Sequence, residues 1–185
     1  MACAYPTNDD WSRNKESVDY SVQFTQAKKL GLGVTIHAGE CKGADSVEWA
    51  IEKCSADRIG HGYRVNEDEK LYNKYVIKEN KQTTRHLEMC PRSSVLTRAQ
   101  NASDHVLKVI DPKIHNVSLS VDNPGVQLNQ LSTEYQVCVD DYGWNFSAFK
   151  EANLNGLRAA FDKRVDDNYI ENFVKCYELY DADNL

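Results

Sequence analysis

The sequence predicts an α/β fold, a parallel sheet of four βα repeats of the (β/α)-barrel kind. Three observations carry this. Short apolar runs alternate with stretches whose apolar residues recur at helical spacing, the pattern of parallel strands joined by helices. Four polar landmarks, His37, His61, Cys90 and Asp122, fall at or just past the ends of the apolar runs, 24, 29 and 32 residues apart. One βα repeat takes about 30 residues. Reactive residues at the C-terminal ends of successive parallel strands are how a (β/α) barrel builds its site, whereas an open doubly wound sheet gathers its ligands at one switch point.

The elements follow in order. Residues 16–30 read as a helix ended by Gly31. Residues 33–40 (GVTIHAGE) read as a buried strand running into a loop, and Val47, Ala50, Ile51 and Cys54 then recur at helical spacing. Residues 58–62 (RIGHG) form the second strand, and Leu71, Tyr72, Tyr75 and Val76 mark the next helix. Residues 86–91 (HLEMCP) form the third strand, closed by proline. Val106, Leu107 and Ile110 make a short helical stripe, and residues 116–122 (NVSLSVD) form the fourth strand. After Pro124 the pattern is helical to the end. Leu128, Leu131, Tyr135 and Cys138 share one face, and Ile170, Phe173, Val174 and Tyr177 another.

Composition bounds the function classes. The chain has 185 residues, 22 basic and 28 acidic side chains and a formal net charge of −6, with 41% hydrophobic residues. These values fit a soluble globular protein read as a single domain, 1–185. The acidity argues against a nucleic-acid or anionic-membrane binder, which needs a basic face. No stretch approaches the ~20 apolar residues of a membrane span. The polar first 14 residues lack the basic end and apolar run of a secretory signal. Six widely spaced cysteines without a C-x-x-C pair read as reduced thiols of a cytoplasmic protein, with Cys54, Cys138 and Cys176 buried on helical faces. No G-x-G-x-x-G or P-loop supports dinucleotide or triphosphate binding.

The candidate chemistry lies at the strand ends. In His37-Ala38-Gly39-Glu40 the small central residues let the chain turn both polar side chains toward one pocket; a histidine ending a strand can equally be structural. His61 stands between two glycines, which permit close backbone approach, or simply mark a turn. Asp122 closes an apolar strand, where a carboxylate is costly unless paired, hydrogen-bonded or on a metal; the plainer alternative is an N-cap for the next helix. Two histidines and an aspartate begin a zinc site, and a free glutamate can act as acid or base. His86, His105 and His115 read as surface or structural.

These residues resemble the adenosine deaminase family, metal-dependent purine aminohydrolases built on a barrel. The likeness rests on residues 35–40 (TIHAGE), 58–63 (RIGHGY), 88–97 (EMCPRSSVLT) and 118–124 (SLSVDNP), with 133–135 (TEY) and 155–157 (NGL) further along. It implies an incomplete TIM barrel: the last four βα units plus C-terminal helices. His37 and Asp122 would be zinc ligands, and Glu40 the proton donor to the purine N1. His61 would orient the attacking hydroxide and stabilise developing charge. Gly39 and Asn123 would contact substrate, Asn123 standing where the family usually has Asp. The implied reaction is deamination of adenosine, or a related purine nucleoside, to inosine.

One family feature is missing. The other two zinc ligands of the family form a His-x-His, and these 185 residues contain none. The expectation is therefore weak zinc binding and little or no activity from this chain alone. Four strands do not close an eight-stranded barrel, so the outer strands would keep free edges and an apolar inner face would lack its opposite wall. Such a sheet would pair with an N-terminal half-barrel or self-associate. An inactive, deaminase-derived interaction module and another adenine or AMP aminohydrolase are the competing readings.

Overall fold

The computed structural model of the chain describes residues 20–79 and 83–183. Its centre is a four-stranded sheet of β1 (Thr35–Ala38), β2 (Arg58–His61), β3 (His86–Met89) and β4 (Val117–Leu119). The strands lie in chain order, and each pairs parallel to the next. Consecutive order without a reversal is how a barrel wall is laid, and it removes the switch point of a doubly wound sheet. α1 (Ser21–Lys29) precedes the sheet, α2 (Ala44–Glu52) joins β1 to β2, and α3 (Glu69–Tyr75) joins β2 to β3. α4 (Pro91–Leu96) and two single 3₁₀ turns lead to β4. The expected helix from residue 16 is found as α1; residues 16–19 lie outside those described.

The strands alternate, so each has two unlike faces. Ile36, Ile59, Leu87 and Val117 face one way and are buried, each at 3% exposure or less, in one cluster with Val47, Ala50 and Ile51 of α2. The register puts Thr35, His37, Arg58, Gly60, His86, Glu88 and Ser118 on the other face. The apolar inner face expected from the sequence is therefore corrected: this face is polar. Thr35 Oγ1 donates to Glu88 Oε2 at 2.9 Å, and Arg58 pairs with Glu88 at 2.8 Å. Arg58 also lies 3.9 Å over the Phe161 ring. Among the described residues, β1 and β4 each have a strand neighbour on one side only, as expected.

The helical region after Pro124 is not continuous. It breaks into α5 (Pro124–Gln127), α6 (Leu131–Tyr142), α7 (Phe146–Arg158) and α8 (Asp167–Asp183). Leu128 does not share the face of Tyr135 and Cys138; it ends α5 in left-handed backbone (φ 50°) and is 87% exposed. Val106–Lys108 is a 3₁₀ turn rather than an α-helix. Cys54 and Cys138 are buried, but Cys176, on α8, is exposed, which corrects that expectation. Cys90, Cys138 and Cys176 are free thiols.

Candidate active site

The sheet's C-terminal end brings Glu40, His61 and Asp122 together, while His37 lies beside His61 but is exposed and outside that group. β1 carries His37, and the turn behind it carries Glu40. His61 is the last residue of β2, and Asp122 lies three residues past β4. The imidazole of His37 needs the missing side chain of Gly60. A Cβ there would come within 3.0–3.3 Å of its ring atoms. Gly39 turns the chain with φ +65°, and its N–H is donated to Ser46 Oγ at 2.8 Å.

His61 is placed by its backbone. Its register partner is Ala38, on the buried face, yet its ring lies 4.7 Å from that of His37. A left-handed φ of 69° at His61 reconciles the two. Such a φ is uncommon for a residue with a Cβ, and it belongs to places where the surroundings over-determine the backbone.

Glu40 and His61 are 4% and 2% exposed. Glu40 Oε2 and His61 Nε2 lie 3.5 Å apart, and neither has a hydrogen-bond partner among the described residues. With Asp122 their ligand atoms lie within 4.8 Å of one another. Burial, and then the charge of Asp122, raise the Glu40 carboxyl above its ordinary range. Burial chiefly, and then His37, bring His61 down to about 4, against the pull of Asp122. At neutral pH the pair is a reluctant carboxylate beside a neutral imidazole. Two buried, unsatisfied polar atoms beside a second carboxylate call for a cation or a proton between them. Nitrogen and oxygen donors of this kind suit zinc.

Asp122 is held on both oxygens. Ser93 Oγ donates to Oδ2 at 2.6 Å, and the Asn123 amide donates to Oδ1 at 2.7 Å. Asn123, not Asp122, is the N-cap residue of α5, and neither side chain caps that helix, so the capping alternative falls away. Gln127 donates to Ser93 in turn, at 3.1 Å. Ser93 is in α4, whose start is fixed by Glu134: the Arg92 N–H donates to Glu134 Oε2, and Asn129 donates to Oε1. Cys90 contributes its backbone, bonded through both N–H and C=O to the hydroxyl of Tyr63. Burial pushes its thiol well up.

Ser93, Tyr63 and Glu134 have no assigned part in the sequence reading. The available signal was a hydroxyl or carboxylate lying inside the matching segments. The other histidines are structural: His86 bonds Asn116 and Ser118, His105 bonds Ser94 and the Leu107 N–H, and His115 bonds the Asp111 backbone.

A consecutive parallel βα sheet with imidazoles and carboxylates past its strand ends is the arrangement (β/α)-barrel hydrolases use. The adenosine deaminase family profile matches residues 8–175, and the chain belongs to that family. It is 38% identical over 139 residues to the rat (Rattus norvegicus) adenosine deaminase, covering 75% of this chain and 38% of the relative. It is 34% identical over 174 residues to that of Xenopus laevis, covering 92% and 47%. The chain thus spans less than half the length of these curated relatives. Among solved structures, the adenine deaminase of Arthrobacter aurescens superposes with a TM-score of 0.77 at 22% identity, covering 93% of this chain and 50% of that one. An amidohydrolase from Burkholderia ambifaria, solved with bound Zn, gives 0.73 at 19% identity, covering 93% and 46%. These two likenesses establish the fold.

Proposed function

We propose that this chain carries the acid and imidazole side of a zinc-dependent purine aminohydrolase site that deaminates adenosine, or a related purine nucleoside, to the inosine product. The observation that carries the reading is the buried pair Glu40 Oε2 and His61 Nε2, 3.5 Å apart and unpartnered, facing a carboxylate that Ser93 orients. Membership of the adenosine deaminase family supports the substrate class.

Glu40 gives its proton to the ring nitrogen next to the reacting carbon. A carboxyl whose hold on a proton is strengthened by burial and by a neighbouring negative charge is suited to that work. His61, neutral at physiological pH, accepts a hydrogen bond from the attacking water and steadies the charge that develops. Asp122, held by Ser93 and Asn123, aligns that water from the other side. Asn123 has one of its amide hydrogens on Asp122 and the other for a ring nitrogen of the substrate. Gly39 keeps the turn low beneath the purine. His37 and Asp122 are the side chains that would hold zinc, which when bound supplies the Lewis acidity that makes water nucleophilic near pH 7. A zinc-bound amidohydrolase of the same fold supports this.

A catalytic zinc takes three protein ligands and an open position. With no His-x-His in its sequence, this chain binds zinc weakly and turns over little adenosine by itself; a first half-barrel completes the site. The test is to mix the chain with the first four βα units of a relative's barrel and zinc, and follow adenosine loss by ultraviolet absorbance. Turnover only in the mixture, abolished by Glu40→Gln, is expected. A mixture in which the halves co-purify and bind zinc but leave adenosine untouched would overturn the reading.

A further inference from the structure

Tyr63 is wholly buried, and its hydroxyl makes three hydrogen-bond contacts, with the Ser94 side chain near it as well. The carbonyl of Cys90 lies at 2.8 Å and the N–H of Cys90 at 2.9 Å. The third is Nδ1 of His61, at 3.2 Å. A phenol has one proton to give and can accept from two donors. The Cys90 carbonyl only accepts, so the phenolic proton lies on that line; elsewhere, two oxygens would face each other bare at 2.8 Å. The Cys90 N–H only donates. The contact with His61 then requires that Nδ1 carry a hydrogen and donate it.

We propose that Tyr63 is a positioning residue: it fixes His61 as the Nδ1–H tautomer and so turns the bare Nε2 lone pair toward Glu40 and Asp122. The opposite tautomer would place a hydrogen on Nε2, where it would satisfy Glu40 Oε2 at 3.5 Å and close the gap. The fixed tautomer keeps both atoms as acceptors, open to a proton, a substrate N–H or a cation. The restraint is stiff because Tyr63 is gripped at both backbone groups of one residue, and that residue, Cys90, immediately follows β3. The catalytic consequence rests on the role given to His61 above; the tautomer does not.

The experiment is long-range ¹H–¹⁵N correlation on the full chain labelled in its histidine rings, near pH 8, above ordinary histidine titration. His61 is assigned by the peaks that vanish in His61→Asn. The expected spectrum shows a pyrrole-like Nδ1 and a pyridine-like Nε2, favoured on the order of tenfold, as one hydrogen bond can impose. In Tyr63→Phe, which keeps the ring, the two tautomers should approach equal population. A wild-type His61 protonated on Nε2 overturns the proposal, and so does an unchanged His61 spectrum in folded Tyr63→Phe. If that variant does not fold, the wild-type spectrum decides alone. Failed turnover in the mixing experiment, with the tautomer as stated, would count against the proposed function and leave this inference standing.

Discussion

At Gly60 the sheet gives up a side chain so that the His37 ring can lie against it. An added Cβ would meet the ring atoms of His37 at 3.0–3.3 Å, so the imidazole must move. Gly60→Ala should destabilise by about 1–2 kcal/mol, as overpacking does, and weaken zinc uptake by the reconstituted site. Urea unfolding and a zinc titration check the two effects, and unchanged zinc affinity would show that His37 is not a ligand. Ser93→Ala should leave the fold near wild-type stability yet lower turnover in the mixture by about tenfold, the effect of losing one hydrogen bond that orients a charged group. His37, Glu40, His61 and Asp122 were legible in the sequence because each sits at the end of a local apolar pattern. Ser93 and Tyr63 were not, because the partners that give them meaning, Asp122 and Cys90, are 29 and 27 residues away. The left-handed turn at His61 was hinted at only by the glycine beside it.

Among the elements, α7 buries Phe149, Ala152 and Leu154 and is tied to β4 and the loop before it by one amide. Asn155 Nδ2 points at the carbonyls of Pro112, His115 and Val117, at 3.0, 3.2 and 3.1 Å. Gly156 brings the helix close beside Ser118 of β4, where a Cβ would stand 3.3 Å from that residue's Cβ. Asn155→Ala should cost about 2–4 kcal/mol by leaving buried carbonyls unbonded. Asn155→Asp should cost more despite equal size, since a carboxylate would face three acceptors. Equal urea midpoints for the two variants would refute the clamp. The four strands and α2 were readable because their periods differ, 2 against 3.6. The break at Leu128 was not, since an apolar spacing of three and four residues runs on unchanged through a residue whose backbone has turned left-handed. The polar sheet face was visible as Thr35, His37, Glu88 and Ser118 on alternate positions. The general burial of parallel sheets on both sides argued the other way, and here the alternation won.

Over the whole molecule, buried neutral histidines set the response to acid. His86, His105 and His115 all have lowered affinity for protons, chiefly through burial. His105 drops to about 4 from its ordinary 6.5, and protonating it would break the bond its Nδ1 accepts from the Leu107 N–H. The unfolded chain takes up these protons first, so stability is full above about 6.5 and is lost as pH falls toward 4, by about 3 kcal/mol for His105 alone. The raised carboxyls of Glu40 and Glu134 act in the opposite sense, adding stability as pH falls through their elevated values. Urea midpoints between pH 7 and 4 should fall for the wild type and fall less for His105→Gln; parallel profiles would refute the assignment. Two strands that, among the described residues, have one edge unpaired each should also make the chain self-associate at high concentration, which light scattering would detect as mass above one chain.

The strand order has a kinetic consequence. Because β1 to β4 lie in the sheet as they come along the chain, each strand finds its partner one repeat back, and no pairing waits for a distant segment. The loop to be closed stays nearly constant in length, so the entropic cost of each addition is nearly the same. The sheet can grow from one edge as the chain emerges during synthesis, with β4 and the Asn155 clamp arriving last. A chain stalled before α7 would then carry a β1–β4 wall whose last strand lacks the Asn155 clamp, and that is the species chaperones would meet.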